Sequence, residues 1–236
     1  MHLDLDKFVG LIKSTDAFAF SRWGDGEFNC LLGVKGENCD GVRYTPELRR
    51  DLLRVLTDYK NAHALNYYFG FLEISREIHK DNLRAFMLDY PLVVRWSEGD
   101  FLHQANRTGK LFPLIEALRS KDVLYVGPNH LRLLDSNNIV RINTFVEVPA
   151  IGAYDEISRI KKDVLNKTKP NQLIGVSMGI GAKVLIHDLY YSIGSDHQII
   201  DFGSVFDGYV GVFSRKYFSR KEWMTYVKMN VGIKDA

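Results

Sequence analysis

The sequence predicts a single α/β domain, Rossmann-like in the loose sense, with a mainly parallel sheet and helices on both faces. Three observations predict it. Short continuous apolar runs at Ala17–Phe20, Val123–Val126, Leu173–Val176 and Ile199–Phe202 read as strands covered on both sides. Between them, apolar residues recur at the three-and-four spacing of amphipathic helices. Polar, glycine-containing segments follow the strands, and ligands of such sheets bind outside the carboxyl ends of strands. The chain has 236 residues, which suits one large domain. No repeat, low-complexity tract or Pro/Ser-rich linker marks a boundary, so residues 1–236 are assigned to one domain, with 210–236 as a basic and aromatic C-terminal segment.

The elements follow in order. Leu5, Phe8, Val9 and Ile12 lie on one face of an opening helix. Ala17–Phe20 is a buried strand that ends abruptly at Arg22-Trp23-Gly24-Asp25-Gly26-Glu27. Thr45 is an N-cap with Pro46 in the first turn, opening a helix through Leu48, Leu52, Leu56 and Tyr59. Leu111, Leu114, Ile115 and Leu118 mark a helix, and Val123–Val126 a strand ending at Gly127-Pro128-Asn129-His130. Two short strands are expected at Ile139–Ile142 and Val146–Val148. Ile157, Ile160 and Val164 mark a helix. Leu173–Val176 is a strand entering a glycine-rich turn, Ala182, Leu185, Ile186 and Leu189 form a helix face, and Ile199–Phe202 is the last strand.

Composition bounds the function. The 31 Lys+Arg against 29 Asp+Glu leave a net charge of +2, which excludes a dedicated polycation that coats nucleic acid but permits a local basic patch. Hydrophobic content of 46% with 25% charged residues is that of an ordinary globular chain. Its 14 Phe, 12 Tyr and 3 Trp fill a core or line a cleft. Cys30 and Cys39 lack the tight spacing of a zinc or redox site and read as free thiols of a reducing compartment. The opening MHLDLDKFVGLIK is not a signal peptide, and no apolar stretch is long enough to span a membrane, so a soluble, cytoplasmic protein is expected.

Three segments can carry chemistry. In Arg22-Trp23-Gly24-Asp25-Gly26-Glu27 two glycines bracket a carboxylate and a second carboxylate follows. If the segment is extended, Asp25 and Glu27 face the same side, about 7 Å apart along the chain, where they can share one Mg²⁺ or Mn²⁺. Gly24 would admit a ligand close to the backbone and Arg22 would offer a planar fork to a phosphate. The other reading is a solvated turn with Glu27 starting a helix. In the second segment, Gly175 to Lys183, a strand runs through Gly179 and Gly181 into a helix. Its amides can hold an anion, or the glycines serve packing alone. In the third, Asp201-Phe202-Gly203-Ser204-Val205-Phe206-Asp207-Gly208-Tyr209, either Asp201 or Asp207 can act as a general base with Ser204 between them, or serve as a turn residue. His130, after its strand, touches a ligand or is structural. The run from Arg215 to Trp223 interleaves cations with aromatics and suits an anionic or sugar-bearing acceptor, or docks as an amphipathic helix.

Taken in order, these segments resemble the GT-D fold glycosyltransferases and the related GT-D-like domains. The residues that carry the resemblance are Arg22–Glu27, Val123–Gly127, Phe145-Val146-Glu147-Val148-Pro149, Ser177–Ala182 and Ile200–Asp207. They span roughly residues 15–210. The resemblance implies transfer of a sugar from a nucleotide sugar, often a UDP-sugar, to an acceptor hydroxyl. It places an Asp-X-Glu motif for metal and donor diphosphate on Asp25 and Glu27, and its Arg-X-Gly-Asp opening on Arg22 and Gly24. It also places a glycine-containing strand-to-helix turn on Gly179 and Gly181, and the 177–181 turn is expected to add donors to phosphates or ribose. Active members tend to carry Gly-His where this chain has Gly203-Ser204, so the base falls to another group, Asp207. The expected site is therefore catalytic Asp207 and Asp25, with Mn²⁺ or Mg²⁺ on Asp25 and Glu27. Substrate contacts are expected from Arg22, Gly24, Ser177, Gly179, Gly181, His130, Asp201 and Ser204. The acceptor class is left open among a glycan, a glycoprotein and a modified nucleic acid. The competing expectation is a module that binds a nucleotide sugar or glycan without transferring it.

Overall fold

Phe18 and Phe20 point to one side of a sheet and Ala19 to the other, and the same alternation runs through the neighbouring strands. The protein, a computed structural model, is described for residues 3–38, 41–58, 64–72, 94, 96–214 and 219–231. Among these, seven strands form one all-parallel sheet: β1 Phe18–Trp23, β2 Tyr67–Phe71, β3 Trp96–Glu98, β4 Val123–Gly127, β5 Ile142–Glu147, β6 Leu173–Val176 and β7 Gln198–Asp201. Their order across the sheet is β3-β2-β1-β7-β6-β4-β5. The helices are α1 Leu5–Lys13, α2 Asp25–Leu31, α3 Pro46–Thr57, α4 Phe101–Arg107, α5 Phe112–Arg119, α6 Leu133–Ser136, α7 Ile157–Lys167, α8 Gly181–Ile193 and α9 Arg220–Val231. One apolar cluster joins Trp23, Val126 and Ile174 to α2, α3, α7 and α8. The other joins Phe18, Tyr125 and Phe202 to α1, α4 and α5. The sheet is thus covered on both faces, as the apolar runs require.

Where a local signal was strong, the expected element forms. Thr45 Oγ1 accepts from the Leu48 amide at 3.1 Å and opens α3 at Pro46. Tyr59, expected at the end of that helix, lies outside the described residues, as does Cys39. Cys30 is a buried thiol, and burial pushes its pKa up to about 11, with Glu27 nearby adding to the effect.

Three expectations need correction. The first strand does not stop at Phe20 but runs to Trp23, because Arg22 finds carbonyl partners that allow it to be buried. In place of the two strands expected at 139–142 and 146–148 one strand forms, β5 at Ile142–Glu147, and residues 139–141 lie outside it. Arg22–Glu27 is not extended beyond Trp23, since α2 begins at Asp25. Residues 60–110 carried no expected element, yet they contain β2, β3 and α4.

The C-terminal segment docks on the domain. Trp223 of α9 is buried against Gly208. The wholly buried Asn230 accepts from the Leu111 amide at 2.7 Å and donates to the Asn106 carbonyl at 2.7 Å. This is the amphipathic-helix reading of the basic, aromatic run, whose residues 215–218 lie outside the described set. Among the described residues no helix is long and apolar enough to cross a membrane.

Candidate functional site

The chain leaves β4 toward β5 on one side and leaves β6 toward β7 on the other, although β4 and β6 are neighbours. Diverging connections open a crevice at the carboxyl ends of such a pair. A cleft of about 630 Å³ lies there, walled by the segments after β4, β6, β7 and β5 and by Glu37, Asn38, Gly41 and Val42. That volume suits a ligand of small-molecule size.

Five of the expected site residues line this cleft together: His130, Ser177, Gly179, Ser204 and Asp207. His130 stands in a short 3₁₀ turn after β4, and Asp207 opens another after β7. Their side chains approach at 3.9 Å between Nε2 and Oδ1. Asp207 is mostly buried while His130 is partly exposed, so a polar ligand entering the cleft meets an imidazole backed by a carboxylate. Ser177 Oγ shares a hydrogen bond with the Tyr125 hydroxyl at 2.9 Å. Burial, with smaller contributions from Asp207 and Asp201, pushes the Tyr125 phenol far above its ordinary pKa. Tyr125 therefore stays protonated and holds the serine in place.

The other expected residues form something different, a buried ionic network behind the cleft. Glu27 does not face a cation beside Asp25. One carboxylate oxygen turns back to accept from the Gly24 amide at 2.8 Å, capping α2, and the other pairs with Lys183 Nζ at 2.7 Å. Lys183 also meets Asp201 Oδ2 at 2.9 Å. Asp201 Oδ2 accepts from the Arg22 amide at 3.2 Å, and its Oδ1 from the Gly203 amide at 2.9 Å. The Arg22 guanidinium donates inward, to the carbonyls of Gly99 at 3.4 Å and Phe202 at 3.2 Å. The expectation that Arg22 offers its fork to a phosphate is thereby corrected, because buried carbonyls hold it.

Burial opposes both ionised forms, and the pairing outweighs it. Lys183 and the Gly24 amide hold Glu27 below the usual carboxylate range. Asp201 and Glu27 hold Lys183 above the usual ammonium range.

The expected metal arrangement also needs correction. In a helix, residues two apart point in different directions, and here Asp25 is exposed while Glu27 is buried on Lys183. Among the described residues no group of three His, Cys, Asp or Glu stands together as candidate metal ligands. Asp25 and Glu27 do not fit a shared divalent ion. Gly24, Gly181, Arg22, Asp25, Glu27 and Asp201 are not among the cleft-lining residues.

Gly203 joins cleft and network. It lines the cleft, donates to Asp201, and has φ of +53°, where an added Cβ would lie 2.6 Å from Arg22 Nη1. Gly203→Ala is expected to lower unfolding free energy by about 1–3 kcal/mol in urea titrations, through strained backbone and a displaced guanidinium. The helical Gly10, with nothing within 4 Å of its added Cβ, is the control, and Gly10→Ala should be neutral or stabilising. Equal stability of the two variants would contradict the packing account.

Lys183 closes the second segment, where the sequence reading gave it no role. A signal was present in the sequence. A cation in the first turn of a helix opposes the macrodipole, and this one sits among Ala182, Val184, Leu185 and Ile186, so it needed buried anionic partners.

No family model matches the chain, and no curated protein matches it. Two solved structures of domain of unknown function 1792 (DUF1792) are similar to it. A selenomethionine-substituted structure of that domain superposes with a TM-score of 0.65 at 19% identity, covering 94% of this chain and 80% of that one. A second, described as a highly conserved domain with a distinct glycosyltransferase fold, gives a TM-score of 0.62 at 18% identity over the same shares. The expected fold is therefore present: the chain has a glycosyltransferase fold of the GT-D-like type.

Proposed function

We propose that the chain transfers a glycosyl group from a nucleotide sugar, with a UDP-sugar as the first choice, to an acceptor hydroxyl bound in the cleft. The observation that supports this most directly is the convergence of His130, Ser177, Ser204 and Asp207 on one cleft at the β4/β6 switch point of a glycosyltransferase fold. In the proposed step the acceptor oxygen bonds to the anomeric carbon as the bond from that carbon to the diphosphate oxygen breaks. The nucleoside diphosphate leaves with the electron pair, and the acceptor proton passes to the Asp207 carboxylate. His130 and Ser204 orient the acceptor or sugar hydroxyls, and the Ser177–Gly179 turn meets the donor. Gly179 has φ of +62° with open space at its Cβ position, which leaves its backbone accessible from the cleft.

Calorimetry with a panel of nucleotide sugars, followed by assay of nucleoside diphosphate release with and without candidate glycan acceptors, tests the reading. Saturable binding with release is expected. Binding without release, whatever the acceptor, would make the chain a recognition module. No binding to any nucleotide sugar would overturn the proposal.

A further inference from the structure

We infer that Lys183 is the resident cation of the Glu27–Asp201 carboxylate pair, so that the native chain does not accept a divalent metal ion there. The ammonium is seated between the acids, 2.7 Å from Glu27 Oε1 and 2.9 Å from Asp201 Oδ2. All three side chains are more than nine-tenths buried. The remaining oxygens are also committed: Glu27 Oε2 to the Gly24 amide and Asp201 Oδ1 to the Gly203 amide. Mg²⁺ and Mn²⁺ need oxygens at about 2.0–2.2 Å and keep several waters. Entry would require expelling an ammonium anchored in the first turn of α8 and breaking the bonds from the Gly24 and Gly203 amides. Two positive centres would otherwise share one water-poor wall, where their repulsion is poorly screened.

The arrangement has a chemical purpose. A divalent ion held by the end of β1 and a lysine held there do the same structural work, neutralising acids that fix the ends of β1 and β7. The lysine does it without dependence on metal supply. Behind Gly203 the cleft is then backed by a buried network whose charges largely balance internally.

The inference goes beyond the transfer reading and is tested by metal binding, so the two can fail separately. Mn²⁺ titrations followed by electron paramagnetic resonance, with melting curves in millimolar Mn²⁺ and in EDTA, are run on the wild type, Lys183→Arg, Glu27→Gln and Lys183→Ala. The wild type and Lys183→Arg keep the positive charge and should show the same melting temperature in Mn²⁺ and in EDTA. Lys183→Ala vacates the position between two carboxylates and should bind Mn²⁺, with its melting temperature raised by several degrees when the ion is supplied. Folding of Lys183→Ala only in the presence of Mn²⁺ would support the same conclusion. Saturable Mn²⁺ binding by the wild type that Glu27→Gln abolishes would overturn it. So would a folded Lys183→Ala that ignores Mn²⁺.

Discussion

Asp207→Asn is expected to lower the proposed glycosyl transfer by about 10²–10⁴-fold while leaving the fold intact. Asn copies the shape of Asp, and the backbone bonds that hold this position survive: its amide donates to the Ser204 carbonyl at 3.3 Å, and its carbonyl accepts from Val212 at 3.0 Å. What disappears is the carboxylate's capacity to take a proton. Binding of the nucleotide sugar should change much less than turnover, because Asp207 is assigned to the acceptor side of the reaction. Its partner His130 lies 3.9 Å away and is less buried, so His130→Ala should cost less than Asp207→Asn, chiefly in acceptor affinity. Steady-state release of nucleoside diphosphate, measured beside urea unfolding of each variant, separates chemistry from stability. An Asp207→Asn variant with wild-type turnover would remove Asp207 from the proposed mechanism.

The cleft residues were legible as individual candidates but not as a group. His130 and Asp207 come from turns after β4 and β7, and only the strand order places those turns side by side. The motif at the end of β1 was legible as chemistry but not as geometry. Its extended reading rested on alternation, whereas Glu27 stands three residues after Gly24, the spacing at which a glutamate caps a helix start. Arg22 read as the start of a loop because its partners, the carbonyls of Gly99 and Phe202, are remote in sequence.

The strands at the β3 edge stayed hidden for a packing reason. β2 contains Gly70, where an added Cβ would lie 2.8 Å from the Phe20 ring and 3.0 Å from the Gly99 backbone. A glycine kept for close approach weakens the strand pattern of the residues around it. β3 spans only Trp96–Glu98, too short for any periodicity to register. By contrast, Thr45-Pro46 and the apolar runs of β4 and β6 carry their information locally, and there the sequence reading and the structure agree.

The buried network should produce the largest change in stability. Lys183→Met fills similar volume but leaves Glu27 and Asp201 without their counter-ion inside the protein. Breaking a buried pair in this way costs about 3–5 kcal/mol, which for a domain of this size corresponds to roughly 6–20 °C in melting temperature. The pH dependence should identify the cause. In the wild type, Glu27 is held below its ordinary value of 4.5, so its contribution is complete above pH 4.5 and is lost as pH falls through the lowered value. Lys183 is held above 10.5, so its contribution is complete below pH 10.5 and is lost as pH rises through the raised value. The network therefore stabilises the wild type across the whole interval between those limits. In Lys183→Met only the Gly24 amide still opposes the burial of Glu27, and the Asp201 charge stands close by, so its proton should be held more tightly in the folded state than in the unfolded one. The deficit should then shrink as pH falls from 7 toward 5, the reverse of the wild-type trend on the acid side. Adding Glu27→Gln to Lys183→Met removes one of the stranded charges and should recover part of the loss. Urea unfolding of wild type, single and double variants from pH 5 to 9 reads all three effects. A deficit that does not vary with pH would mean that Lys183 acts through packing, not charge.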